Sequence, residues 1–146
     1  MLLIVQQNII LKQLCESILD SQKKICFVAV TNEKGKVLES KDRDSAIGYL
    51  QKTRYEMFFM EFALQHRMNN EFNSEFSFVR YTLTEREKET FFSFPFYNLQ
   101  ILVVAKNGVN PTLTSKEIIS IIDKYSGKFD VETNDKKGLE VHEVFS

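Results

Sequence analysis

The stretch Phe76–Ala105, FSFVRYTLTEREKETFFSFPFYNLQILVVA, decides the fold. Over Phe76–Leu83 the residues alternate with period two. Ser77, Val79, Tyr81 and Leu83 face one way and Phe76, Phe78, Arg80 and Thr82 the other, the pattern of a strand with two unlike faces. The polar cluster Glu85–Arg86–Glu87–Lys88 then interrupts it. With no glycine there, a longer loop fits better than a two-residue primed turn. Thr90–Phe96 reads as a second strand, with Phe92, Phe94 and Phe96 on one face. Pro95 has no N–H to donate and belongs at a strand end or bulge. Ile101–Ala105 is apolar at every position, which suits a central strand covered on both faces. Three consecutive antiparallel strands are expected. Their aromatic side chains read as core, because a base-stacking surface would interleave them with basic residues and only Arg80 does so.

Toward the N-terminus, Leu3, Ile10, Leu11, Leu14 and Ile18 lie along one side of a helix expected over about residues 3–21. Ile25–Thr31 (ICFVAVT) reads as a central strand. Asn32–Gly35 forms a turn and Val37–Ser40 a short, more polar edge strand. Asp44 or Ser45 is placed to cap a long helix running to about Met68, with a kink near Gly48. Toward the C-terminus, Thr114–Glu117 has capping-box spacing and Ile118, Ile121, Ile122 and Tyr125 follow a helical repeat. Gly127 sits where a helix would end, with Lys124 and Lys128 beside the negative helix end. Residues 1–129 are therefore expected to form one domain, and 130–146 a C-terminal tail outside the core.

The chain has 146 residues, 43% of them hydrophobic and 13 of them Phe, enough for one domain with a proper core. A net charge of −1 without a basic patch argues against nucleic acid. The clusters Asp42–Arg43–Asp44 and Glu85–Glu89 are balanced and read as solvated turns. The N-terminal MLLIVQQNII lacks a basic segment, and no apolar run nears the ~20 residues of a membrane span. A cytoplasmic protein is expected, with Cys15 and Cys26 as free, buried, structural thiols.

No catalytic set emerges. The histidines are His66, on the long helix, and His142, in the tail, and neither has a nucleophile and orienting partner in its sequence neighbourhood. There is no phosphate-cradling glycine motif, and Asp42 and Asp44 are followed by no further metal ligands, so no cofactor or metal is expected. Arg80 and Arg86 are the first candidates for contact with a partner or an anion.

The order helix, strand, strand, helix, three strands, helix resembles the roadblock/LC7 family, which has a profilin-like five-stranded sheet. Phe27–Leu38 is similar to that family's first hairpin, and Phe94–Pro95, Asn98 and Ile101–Val104 to its last two strands. Arg86–Glu87–Lys88 ahead of Phe94–Pro95 is similar to small archaeal proteins of this type. The resemblance spans about residues 9–128. It implies an α+β fold (αββαβββα) with antiparallel sheet order 2-1-5-4-3 and helices on both faces. It also implies a non-catalytic homodimer that binds a small GTPase or a motor or scaffold complex, and it carries over no catalytic residue. The alternative is a PAS-like sensory module holding a small molecule between sheet and helix.

The long helix supports the dimer. Ala46, Leu50, Met57, Leu64 and Met68 form one apolar stripe, and Tyr55, Phe58, Phe59 and Phe62 a second. A helix apolar on two sides needs two apolar partners. One stripe covers the sheet and the other meets a second copy. The aromatic stripe is expected at the interface, because the Leu/Met stripe runs farther along the helix; the two roles are interchangeable on sequence alone.

Overall fold

Ile25–Thr31 is apolar almost throughout because both its faces are covered. The computed structural model describes residues 2–45, 47 and 50–145, with side chains for residues 5–45, 47 and 50–129. In it the elements run α1 (Leu2–Ser21), β1 (Ile25–Thr31), β2 (Val37–Asp42), α2 (Lys52–Asn70), α3 (Asn73–Phe76), β3 (Thr82–Glu85), β4 (Glu89–Phe96), β5 (Leu99–Lys106) and α4 (Pro111–Phe145). The strands form one antiparallel sheet in the order β2-β1-β5-β4-β3, with β1 and β5 inside it as their apolar runs require.

Two cores flank the sheet. On one face α1 and α4 bring Leu14, Ile18, Ile118 and Ile122 against Val28, Val30, Phe92, Phe94, Ile101 and Val103. On the other face α2 lays Phe59 and Phe62 against Phe27, Ala29, Phe91, Leu102 and Val104. A register shift between Ile25 and Phe27 puts Cys26 and Phe27 together on the α2 side. Cys15 belongs to the opposite core, so the sheet separates the two free, buried thiols.

The structure departs from the sequence reading in several places. The strand expected over Phe76–Leu83 is only Thr82–Glu85. Phe76 ends the short helix α3, and Ser77 takes φ 67°, which breaks an extended path. The β3–β4 ladder stops at Thr82–Ser93, short of Pro95, which therefore lies where its strand has one neighbour. The loop between these strands is Arg86–Lys88, closed by the Arg86 N–H donating to the Glu89 carbonyl at 2.8 Å.

The long helix does not begin at Asp44 or Ser45. Both residues have positive φ (57° and 54°), so a short 3-10 turn, Arg43–Ser45, ends there and α2 starts at Lys52. Ala46 and Gly48, assigned to the stripe and the kink, lie outside the described residues. Nor is the Asp42–Arg43–Asp44 cluster merely solvated. Arg43 donates to the carbonyls of Leu19 (2.6 Å) and Ile25 (3.1 Å), and the Asp42 carboxylate accepts from the Ile47 N–H at 3.1 Å.

The last helix starts earlier than the capping box suggests and passes through Gly127. Asn110 is its cap, its side-chain oxygen accepting from the Leu113 N–H at 3.1 Å, while Thr114 is buried within the helix beside Gln22. Gly127 does not terminate it because the packing continues beyond. Tyr125 Oη meets Ser17 Oγ at 2.7 Å, the Ser126 carbonyl accepts from Tyr97 Oη at 2.7 Å, and Phe129 is buried against Phe96 and Tyr97.

Candidate functional site

Three surfaces converge on α2. Its inner side is aromatic. The Phe59 ring lies 6.0 Å from Phe27, 4.8 Å from Tyr55 and 5.2 Å from Phe58, and Phe58 and Phe62 meet Phe91 at 5.5 and 6.0 Å. Edge-on pairs of this kind contribute ~0.5–1.5 kcal/mol each beyond the area they bury. Tyr55, Phe58, Phe59 and Phe62, expected at a dimer interface, are thus brought together on the chain's own sheet. The aromatic stripe turns inward because the sheet face carrying Phe27 and Phe91 offers rings for rings, and Phe59 retains only 1% exposure. These side chains fill the space between the sheet and the middle of α2.

The outer side of α2 is the Leu/Met stripe. Met57, Met60, Leu64 and Met68 are 54%, 47%, 50% and 68% exposed. Met60 was missed in the sequence, although it lies three residues after Met57 and four before Leu64 and so shares their side. Phe72 and Phe76, with rings 6.2 Å apart, carry the exposed apolar surface past the helix end. Beside α2, at the Lys106 end of the sheet, opens a groove of about 890 Å³ walled by Leu50, Met57, Phe58 and Leu64 and rimmed by Arg54, Arg86 and Lys106.

The two suspected arginines are separate. Arg86 rims that groove, its guanidinium carbon 5.4 Å over the Phe91 ring. Arg80 lies at the sheet edge, where the segment between α3 and β3 passes the end of β4. There a cleft of about 380 Å³ brings it together with His66, Asn73, Phe78, Phe94 and Asp123. Asp123, from α4, was invisible as a site residue in the sequence, since only the tertiary fold puts it near Arg80. Asn73 donates to the Asn70 side-chain oxygen at 3.3 Å, and the Asn70 amide nitrogen lies 3.3 Å from His66 Nε2. An amide NH₂ only donates, so this contact suits the neutral imidazole with Nε2 accepting. Burial pushes its pKa down, in agreement. His142 is among the residues whose side chains are not described.

Among the described residues, no group of three or more His, Cys, Asp and Glu is placed to hold a metal ion, and no helix is long and apolar enough to cross a membrane.

No protein-family model matches the sequence. No curated protein matches it either. The fold, however, has clear relatives among solved structures. MglB of Myxococcus xanthus superposes with a TM-score of 0.70 at 10% identity, over 86% of this chain and 91% of that one. A roadblock/LC7 domain from Streptomyces avermitilis superposes with a TM-score of 0.64 at 11% identity, over 81% and 96%. Profilin of Schizosaccharomyces pombe does so with a TM-score of 0.59 at 12% identity, over 81% and 98%. With its sheet order β2-β1-β5-β4-β3 and helices on both faces, this chain has the fold of roadblock/LC7 domains, within the wider profilin-like architecture.

Proposed function

We propose that this chain is a non-enzymatic interaction module that works as a homodimer, with the outer stripe of α2 seating a second copy, and that the dimer serves as a docking platform for a small GTPase or a scaffold protein. The observation that carries the reading is the row Met57, Met60, Leu64 and Met68, about half exposed or more, on a helix whose other side is already covered. A row of this kind is costly to leave in water. A two-fold axis matches it with its own copy, apolar row against apolar row. Burying the remaining exposed part of each such side chain contributes roughly 1 kcal/mol. Doubled by symmetry, the row reaches the lower range of the cost of association, ~4–15 kcal/mol, and Phe72 and Phe76 add to it. The GTPase or scaffold partner follows from the roadblock/LC7 resemblance rather than from any side chain.

Light scattering at tens of micromolar tests the dimer. The expected result is a dimeric wild type, monomeric and folded Met60→Asp and Leu64→Asp variants, and a Phe59→Asp variant that unfolds because Phe59 is core. A monomeric wild type sinks the homodimer. Affinity capture scored for GTPases, followed by titration of the purified GTPase, tests the partner, and failure to bind any GTPase in both states of its nucleotide sinks that part.

A further inference from the structure

The edge cleft has a chemistry of its own. Its polar rim holds one cation, Arg80, and one anion, Asp123, and among the described residues neither makes an ion pair or hydrogen bond within the chain. Asn73, which also lines the cleft, donates its amide nitrogen to the Asn70 side-chain oxygen. The cleft is otherwise lined largely by apolar and aromatic groups, among them exposed Phe78, buried Phe94, and Ile119 from α4. Tyr97 holds that lining in place, since its hydroxyl donates to the Ser126 carbonyl of α4 at 2.7 Å.

We infer that this cleft binds a free amino acid with an apolar or aromatic side chain, the carboxylate on Arg80, the ammonium group on Asp123, and the side chain against Phe78 and Phe94. Guanidinium and carboxylate form a two-point contact that fixes the ligand's orientation. The ammonium group donates to the Asp123 carboxylate, a charge-assisted contact. A simple anion leaves Asp123 unmatched, and a simple amine leaves Arg80 unmatched, so the pair selects a zwitterion. A volume of about 380 Å³ admits a molecule of this size and lies at the small end of the range of ligand pockets. The inference stands apart from the dimer reading, because the cleft and the exposed row of α2 share no side chain.

The test is calorimetric titration of the wild-type protein with phenylalanine, phenylalaninamide and N-acetylphenylalanine, together with leucine. Phenylalanine and leucine are expected to bind, and each capped compound to bind at least about tenfold more weakly, a difference of about 1.4 kcal/mol. In Arg80→Gln, an exposed position, phenylalanine and its amide are expected to become equivalent. In Asp123→Asn, also exposed, phenylalanine and its N-acetyl derivative are expected to converge. No binding of either amino acid at millimolar concentration overturns the inference, as does a capped compound that binds the wild type as tightly as the free one.

Discussion

The ring of Phe129 lies 4.9 Å from that of Tyr97, whose hydroxyl is bonded to the Ser126 carbonyl one helical turn earlier. Tyr97 stands in the β4–β5 turn at φ 57°, so this contact pins the turn and α4 together. Phe129 is buried at 7% exposure, and it is the last residue of α4 whose packing is described. Truncation after Phe129 is expected to leave the melting temperature nearly unchanged, whereas Phe129→Ala is expected to cost about 3 kcal/mol. Thermal melts of both proteins check this. A large loss on truncation would show that residues beyond 129 belong to the core.

Two glycines should respond in opposite directions to the same substitution. Gly35 sits at φ 84°, and a Cβ there would come within 3.1 Å of the Phe59 carbonyl oxygen and 3.3 Å of Met60 Cα. The β1–β2 turn therefore rests directly on the α2 backbone. Gly127 lies within α4, where a Cβ would meet nothing within 4 Å. Gly35→Ala is expected to lose more than about 1 kcal/mol through strain and crowding, and Gly127→Ala to gain roughly 0.5–1 kcal/mol through helix propensity. Urea unfolding of the two variants decides it, and a stabilised Gly35→Ala would contradict the contact.

Cys15, on the inward side of α1, is fully buried, and burial, with Glu39 adding to it, pushes its thiol from 9.0 up to about 12. The thiol of Cys26 is pushed up as well, chiefly by burial, and donates to the Val104 carbonyl at 3.3 Å. Both should resist thiol reagents near neutral pH until the protein unfolds, because the thiolate is the reactive form. The sign of the pH dependence follows. Between about pH 9 and 12 the unfolded chain has released the Cys15 proton and the folded chain has kept it, so this group's contribution is intact below pH 9 and is lost as pH rises. The slope is at most about 1.4 kcal/mol per pH unit. Urea unfolding of wild type and Cys15→Ala at pH 8 and pH 10 measures it. Equal pH slopes in the two proteins would refute the assignment, as would an intact-mass measurement showing a Cys15–Cys26 disulfide.

What the sequence determined by itself was the element plan and the central strands. Ile25–Thr31 and Ile101–Ala105 are apolar on both faces, and only interior strands tolerate that, so β1 and β5 were legible before any coordinates. The two-sided apolar character of α2 was equally plain, because a 3.6-residue repeat shows in the chain wherever it is. Tertiary structure alone decided which side of α2 faces inward, since Phe27 and Phe91 had first to be placed on the same sheet face as partners for Phe58, Phe59 and Phe62. It also decided where elements end. Local signals such as the caps at Ser45 and Gly127 are worth about 1 kcal/mol, and they yielded to the backbone turn at Asp44–Ser45 and to the packing of Tyr125 and Phe129. The edge cleft was beyond the sequence altogether. Arg80 and Asp123 are 43 positions apart in the numbering, one in the segment ahead of β3 and the other on α4, and they line one cleft where β3 leaves the end of β4 unpaired.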